Sequence, residues 1–391
     1  MRVLMITHYF ESHRGGIELV AGNLFRGIAR RQCEITWAAS EVNAPPAQIQ
    51  SGRALPLKTW NGVERRLGVP FPVPSLAAFW TLRSAVSWAD VVLLHDCLYL
   101  SNLAAFLFAR LRGVPVMIVQ HIGMVPYDNF LLRSLMKLAN VIFTRPMLRR
   151  AEQVVFISQI TQRYFHDVRF SKEPVLLFNG VDTGIFFPAA DESGKAVLRE
   201  RLDLPSERRV VLFVGRFVEK KGIPLLGIMA RRAPEILWAF AGEGPLNPHE
   251  WGLANVKVYS HLRQDMLADL YRASDVLVLP STGEGFPLVV QEALACGLPV
   301  ICSAETVTAD DALAAFVRGV PLSAGEPELA AADFLNALYE ILTMPQSREI
   351  RDQRFHFVLN RYSWSRVAEM YYKFTSELAS ERHVARHARA G

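Results

Sequence analysis

The sequence is poor in cysteine and has no long apolar run. Its four cysteines show no CxxC or Cys/His spacing, so neither a zinc site nor a disulfide framework is indicated and a reducing compartment fits. Four consecutive apolar residues precede Thr7, too few for the core of a signal peptide. The longest apolar stretches, 98–109 and 114–119, are shorter than the ~18 residues that span a bilayer. These absences predict a cytoplasmic protein, or one bound peripherally to the cytoplasmic face of the inner membrane.

A dense block of one charge sign is also missing. The chain has 43 basic and 38 acidic side chains, without a Lys/Arg run of the kind that binds nucleic acid. The surplus is uneven, because residues 1–185 carry 20 basic and 12 acidic side chains. We therefore predict no nucleic-acid partner. A 21% charged fraction beside 51% hydrophobic residues excludes a disordered chain.

Short apolar runs alternate with helix-length segments along the chain, a pattern typical of parallel sheets with crossover helices. A stretch rich in Gly, Pro, Asp and Ser at 179–195 separates two such series. We predict an α/β fold of two doubly wound, Rossmann-like domains facing across a cleft, 1–183 and 184–362, because 391 residues exceed one core. The predicted strands are 3–7, 34–39, 91–95, 115–120, 153–158, 175–178, 209–214, 236–241, 256–259, 275–280 and 298–302.

The stretch LPSTGEGFPLVVQEALACGLPVI, residues 279–301, carries the strongest signal. A buried strand leads into a polar loop, and Pro287 suits the first turn of a helix. Such a loop offers free N–H groups and a positive helix end to an anion. Glu284 in the loop and Glu292 in the helix are carboxylates that accept hydrogen bonds from vicinal hydroxyls, as in sugars and ribose. The alternative is a solvated helix acid and an ordinary loop acid.

The segment VGRFVEKKG, residues 214–222, follows the first strand of the second domain. Arg216 supplies a planar fork of donors and Lys221 a compact charge, a combination that holds a diphosphate. An ordinary charged surface loop is the alternative.

Two weaker signals lie in the first domain. Gly15 and Gly16, between the first strand and the first helix, allow the backbone to approach a phosphate or sugar, or simply shape a turn. They are not part of a GxGxxG motif, which argues against an NAD site. His121 ends a strand and is followed by Gly123. A lone histidine is more often structural than catalytic, but the carboxyl end of a strand facing the cleft is the favoured location for a functional one.

Taken in order, these motifs resemble the retaining GT-B glycosyltransferases of family 4 (glycosyl transferases group 1) over nearly the whole chain. The set includes Gly-Gly-Ile-Glu, Asn-Gly-Val-Asp, Gly-Arg-(x)4-Lys-Gly, Ala-Gly-Glu-Gly-Pro and the Glu-(x)7-Glu pair. The ending Tyr-Ser-Trp-Ser, residues 362–365, also resembles that family. It implies a C-terminal helix at about 363–380 that packs on the first domain, with 381–391 as a basic tail.

The resemblance implies a role for each motif. Arg216 and Lys221 hold the donor diphosphate, Glu284 the sugar hydroxyls and Glu292 the ribose. His121 lies near the anomeric carbon and O6 of the sugar. The implied catalytic residues are His121, Glu284, Arg216 and Lys221. The implied donor-binding residues are Gly15, Gly16, Arg216, Lys221, Gly242, Glu284, Gly285, Phe286, Pro287, Leu288 and Glu292.

The resemblance also implies the reaction. A hexose is transferred with retention from a nucleotide-diphosphate sugar to a glycan or lipid-linked sugar in cell-envelope, exopolysaccharide or lipopolysaccharide biosynthesis. A UDP-sugar is the favoured donor and a GDP-sugar is the next. No metal and no cofactor beyond the nucleotide sugar are implied. A nucleotide-sugar 2-epimerase and a non-catalytic nucleotide-binding protein are the alternatives. Transfer is favoured because both cations and both carboxylates are present.

The segment 130–151 joins apolar residues to five cations without an acid. The resemblance implies that the first domain, 1–183, binds the acceptor and that the second, 184–362, binds the nucleotide-sugar donor. In the acceptor-binding domain this composition predicts docking on an anionic membrane surface. An ordinary helix pair with a buried apolar face is the equal alternative. The cations are Arg133, Lys137, Arg145, Arg149 and Arg150.

Overall fold

The computed structural model describes residues 1–13, 15–49, 51–67, 70–123, 130–282, 286–323 and 325–390. The chain forms two units. The first contains Met1–Asn179 and the chain from Trp364 onward, and the second contains Gly180–Ser363. Each unit is built on a parallel sheet accompanied by helices, so the predicted α/β architecture is confirmed.

A seven-stranded sheet forms the centre of the first unit, in the order β3-β2-β1-β6-β7-β8-β9. All neighbouring strands in it are parallel, and β4 and β5 form a short antiparallel pair. The order reverses between β1 and β6, where ligands bind in open sheets of this type. The strands are β1 (Arg2–Ile6), β2 (Glu34–Ser40), β3 (Gly52–Leu57), β4 (Thr59–Trp60), β5 (Val73–Pro74), β6 (Val91–His95), β7 (Val116–Gln120), β8 (Gln153–Phe156) and β9 (Val175–Leu176).

Both faces of this sheet are buried, as a parallel sheet requires. Val3 and Met5 of β1 join one apolar cluster, and Leu4 and Ile6 join the other, because successive side chains point to opposite faces. The helices before the chain enters the second unit are α1 (Gly16–Ala29), α2 (Gly62–Leu67), α3 (Leu76–Trp88), α4 (Leu100–Arg112), α5 (Phe130–Ala139), α6 (Arg145–Arg150) and α7 (Gln159–Tyr164).

The second unit repeats this plan with six parallel strands in the order β12-β11-β10-β13-β14-β15. Its order reverses between β10 and β13. The strands are β10 (Val210–Val214), β11 (Leu237–Ala241), β12 (Val256–Tyr259), β13 (Val276–Leu279), β14 (Val300–Ser303) and β15 (Val317–Val320). The helices are α8 (Glu192–Arg201), α9 (Ile223–Arg232), α10 (Gln264–Ala273), α11 (Leu288–Ala295), α12 (Ala304–Val307), α13 (Pro327–Thr343) and α14 (Arg348–Tyr362).

Two strands of these sheets, β3 and β15, were not predicted from the sequence. Each lies at the edge of its sheet. Gly52 and Pro56 in β3 and Gly319 in β15 are residue types depleted in strands, but an edge tolerates them because one side of the strand needs no ladder hydrogen bonds.

The last helix, α15 (Trp364–Ala390), packs on α1 of the first unit. The contact is close, because a Cβ atom built at Gly27 would lie 2.4 Å from the Cβ of Ala368. Tyr371 is buried in the same apolar cluster as α1. The helix continues past residue 380 into the segment expected to be a tail, and Arg382 donates there to the carbonyl of Ala89 over 2.7 Å.

Candidate functional site

Two loops meet at the reversal point of the second sheet. Residues 215–222 follow β10, and residues 280–282 follow β13. The Thr282 amide donates to the carbonyl of Lys220 over 2.9 Å. Gly222, at φ +76°, approaches so closely that a Cβ there would lie 2.5 Å from the carbonyl oxygen of Pro280. The two loops are therefore held together at the point where an open α/β sheet binds ligands.

The two predicted phosphate cations lie on the first of these loops. Arg216 is exposed, and its side chain has no hydrogen bond or ion pair within the ranges described above. Lys221 is half-buried, and its stem passes 3.9 Å from a Cβ position built at Gly215. Arg216, Lys220 and Thr282 are among the residues that line an open depression of about 610 Å³. An anion entering it finds an Arg fork that is not engaged elsewhere in the described chain.

A third loop, after β11, is attached to the loop after β10. Gly242 donates its N–H to the carbonyl of Tyr259, and a Cβ at Gly242 would lie 1.9 Å from the carbonyl oxygen of Gly215. The Phe217 amide donates to the carbonyl of Glu243 over 2.8 Å. Gly242 is therefore required by the packing of backbone on backbone.

The start of α11 is anchored beside the same edge of the sheet. Pro287 precedes its first residue, Leu288, which is exposed. The ring of Phe286 packs edge-on against Tyr362, with centroids 5.0 Å apart, and the Tyr362 hydroxyl donates to Asp310. Glu284 and Gly285 lie outside the described residues.

Glu292, in the second turn of α11, is not a solvated surface acid. Its Oε2 accepts a hydrogen bond of 2.9 Å from the hydroxyl of Tyr271, which is fully buried. Burial raises the pKa of Glu292 to about 7, although the Tyr271 hydrogen bond acts in the opposite direction. The carboxyl group is therefore divided between its protonated and ionised forms near neutral pH.

In the first unit, His121 directly follows β7 beside the reversal point. It is 9% exposed, and its Nε2 lies 2.9 Å from Nδ1 of His95 at the end of β6. Asp96 Oδ1 accepts from the amides of His121 and Ile122, over 2.8 and 3.3 Å. Burial lowers the pKa of His121 to about 3 and raises that of Asp96 to about 7. The imidazole of His121 is therefore neutral at physiological pH.

The structure distinguishes the two glycines at the start of α1. A Cβ at Gly15 would lie 2.2 Å from Oε2 of Glu18. That carboxylate is buried, and its Oε1 lies 2.8 Å from Nε2 of His8, so the absence of a side chain at Gly15 leaves room for this buried contact. A Cβ at Gly16 would meet no described atom within 4 Å. Gly16, the first residue of α1, is the one open to a ligand.

Three residues beside the predicted ones were missed. His95 is the last residue of β6 and Asp96 follows it, so the position rule that selected His121 would have selected them too. Tyr271 carried no signal, because its hydrogen bond to Glu292 depends on the packing of α10 against α11.

Within the same described ranges, no group of three or more His, Cys, Asp or Glu residues could hold a metal ion. The helices described there include none that is long and apolar enough to cross a bilayer.

The contact between the two loops of the second unit predicts a difference between two glycine substitutions. Gly222 and Gly252 both have left-handed backbones, φ +76° and +65°, but a Cβ at Gly252 would meet no described atom within 4 Å. We expect Gly252→Ala to cost about 1–2 kcal/mol of unfolding free energy from backbone strain. Gly222→Ala adds overlap with Pro280, about 1–3 kcal/mol more. Urea unfolding of both variants measures the difference, and equal midpoints would contradict the contact.

Comparison with known proteins gives a consistent result. The family described as "Glycosyl transferases group 1" matches residues 195–353, and the one described as "Glycosyltransferase Family 4" matches residues 14–184. A D-inositol 3-phosphate glycosyltransferase of Xylanimonas cellulosilytica is 31% identical over 83% of each chain. A putative teichuronic acid biosynthesis glycosyltransferase of Bacillus subtilis is 37% identical over 29% of each chain.

Solved structures show the same fold. Sucrose-phosphate synthase from Thermosynechococcus elongatus superposes with a TM-score of 0.70 at 19% identity, over 97% of this chain and all of that one. The Anabaena protein HepE, in complex with UDP-glucose, gives 0.67 at 16% identity, over 96% of this chain and all of that one. Sequence and fold agree that this chain is a GT-B protein and belongs to the group 1 glycosyltransferases of family 4.

Proposed function

We propose that this glycosyltransferase transfers a hexose with retention from a nucleotide-diphosphate sugar to a glycan or lipid-linked sugar of the cell envelope. A UDP-sugar is the favoured donor and a GDP-sugar is the next. One observation carries the donor half of the proposal. Arg216 is exposed and unpaired within the described chain, on a loop that is locked to the end of β13 beside the first turn of α11. The complex of HepE with UDP-glucose supports a UDP-sugar donor.

The chemistry suits this arrangement. Cleavage of a sugar–phosphate bond leaves negative charge on the diphosphate and positive character on the anomeric carbon. Arg216, Lys221 and the N–H groups at the start of α11 stabilise the diphosphate as its charge develops. The acceptor attacks from the face of the leaving group and gives its proton to a phosphate oxygen. The two cations take the place of a metal ion in this proposal.

Removing one cation tests the diphosphate assignment. Arg216→Ala is expected to weaken UDP binding by about tenfold to a hundredfold, because a hydrogen bond to a charged group contributes about 1.5–3 kcal/mol. Uridine, which lacks the diphosphate, is expected to bind both proteins equally. Calorimetry with the two ligands measures this. Arg318→Ala is the matched control, because Arg318 is an exposed arginine in the edge strand β15, which is separated from β13 by β14.

Transfer assays complete that test. Lys221→Ala and Glu284→Ala are expected to abolish transfer with the fold intact. Near-wild-type turnover in either variant would overturn the assignment of these residues. A thermal-shift screen of UDP, GDP, ADP and their sugars identifies the base.

The raised pKa of Glu292 gives a pH signature. If ribose hydroxyls donate to the ionised carboxylate, binding requires loss of a proton whose pKa is about 7. Affinity for UDP-glucose is therefore expected to rise about tenfold from pH 6 to pH 8, the change in the ionised fraction. The diphosphate diester does not titrate in that range. For Glu292→Gln, or for a ligand without the ribose hydroxyls, the affinity is expected not to change between pH 6 and pH 8. If the affinity of the variant rose with pH as it does in the wild-type protein, the assignment of Glu292 to the ribose would be refuted.

The acceptor side is supported by a surface in the first unit that we call the 135–143 patch. Five large apolar side chains on it are between 43% and 59% exposed: Leu135, Leu138, Val141, Ile142 and Phe143. Lys137 is exposed within the same segment, and Arg149 and Arg150 are exposed in α6, which follows it along the chain. Arg145 is engaged by Asp167 over 2.5 Å. An exposed apolar cluster with nearby cations matches a surface that lies on anionic lipid. The patch favours a lipid-linked acceptor.

Liposome flotation tests this surface. The wild-type protein is expected to float with vesicles that contain anionic lipid and to lose binding at high salt. A double Ile142→Ser, Phe143→Ser variant is expected to stay in solution. Leu111→Ser is the control, because Leu111 is 83% exposed in α4. Absence of wild-type flotation would indicate a soluble acceptor. In that case D-inositol 3-phosphate is the first compound to assay, because it appears in the names of several relatives.

A further inference from the structure

The two imidazoles at the ends of β6 and β7 form an unusual pair. His95 Nδ1 and His121 Nε2 are 2.9 Å apart, and the rings lie 5.2 Å apart at 28°. His95 is fully buried, and His121 is slightly exposed. His121 Nε2 is occupied by this contact, so Nδ1 is the nitrogen left for a ligand.

Local contacts hold both rings in place. Asn102 donates its side-chain amide to the carbonyls of His95 and Asp96, over 2.7 and 2.8 Å. Asp96 accepts the amide of His121, and Thr161 donates its hydroxyl to the carbonyl of His121 over 3.3 Å. The N···N contact is therefore built by the fold on both sides.

Both rings are neutral. Burial lowers the pKa of His95 well below its ordinary value, and it lowers that of His121 to about 3. A third histidine, His8, also lowers the pKa values of both rings. Its Nε2 lies 2.8 Å from the carboxylate of Glu18. A neutral pair needs one N–H and one lone pair at the contact.

The environment of His95 decides which ring donates. Its Nε2 is buried and has no partner in the described chain. If His121 donated, the proton of His95 would sit on that Nε2 as a buried N–H without an acceptor. If His95 donates from Nδ1, Nε2 is only a bare lone pair. Orphaned buried N–H groups are rarer than unsatisfied acceptors, so donation by His95 is favoured.

We propose that His95 is a positioning residue that fixes His121 as its Nδ1–H tautomer, so that His121 presents a neutral hydrogen-bond donor to an oxygen of the bound sugar. This proposal rests on the proposed function only where it names a sugar as the ligand of His121. A neutral donor also avoids placing a positive charge beside an anomeric centre that becomes positive in the transition state.

The direct test is the tautomer itself. Long-range ¹H–¹⁵N NMR of histidine-labelled protein, with the His121 signal assigned by its loss in His121→Gln, is expected to show a protonated Nδ1 and a bare Nε2 at pH 7.5. A protonated Nε2 or a doubly protonated ring would overturn the proposal. This readout does not depend on turnover, so a protein that lacks transfer activity can still confirm or refute it.

Two variants separate positioning from folding. His95→Asn retains a side-chain N–H donor and is expected to keep the His121 tautomer and most of kcat. His95→Leu removes the donor, and we expect a mixed tautomer and a fall of about tenfold in kcat with little change in KM. In a His121→Gln background, His95→Leu is expected to have no further effect. The proposal that His95 acts through His121 would be refuted by either of two results. One is that His95→Leu lowers kcat as much in the His121→Gln background as in the wild-type protein. The other is that His95→Asn and His95→Leu lower kcat equally.

Discussion

Parallel pairing of β10 with β11 on one side and β13 on the other is the constraint on which the second unit's site depends. Because the strand order reverses there, the loops after β10 and β13 leave the sheet side by side. Only glycine at 222 allows the close approach to Pro280, and this contact keeps the cation-bearing loop at the crevice. The site is therefore a consequence of sheet topology, completed by one residue without a side chain.

The two units have the same sheet topology but differ in the charge of the side chains at the ends of their central strands. In the second, Arg216 remains exposed and charged at the end of β10, suited to an anion. In the first, burial removes the charge from the histidines that end β6 and β7. The contrast suits the retaining transfer proposed above, because a leaving diphosphate is stabilised by cations, whereas a sugar that becomes positive is better served by neutral donors.

The sequence was sufficient for the interior strands, whose apolar runs reflect burial on both faces. It was not sufficient for β3 and β15, because an edge strand accepts glycine, proline and arginine that interior strands avoid. Candidate site residues on loops at strand ends could be selected by position, as Arg216 and His121 were. Tyr271 could not, because its hydrogen bond to Glu292 arises where two helices pack, and no local pattern encodes that contact.

The Gly15–Gly16 pair shows why a motif alone does not separate structural from functional residues. Gly15 has an internal cause, because the buried Glu18 carboxylate beside His8 occupies the space that a Cβ would need. Gly16 has no such internal cause, and the space at its Cα is open. One glycine therefore leaves room for the buried contact between Glu18 and His8, and the other leaves the N-terminus of the helix accessible. Since the two positions look equivalent in the sequence, only the surrounding atoms show that the first is explained by packing inside the fold and that the second is not.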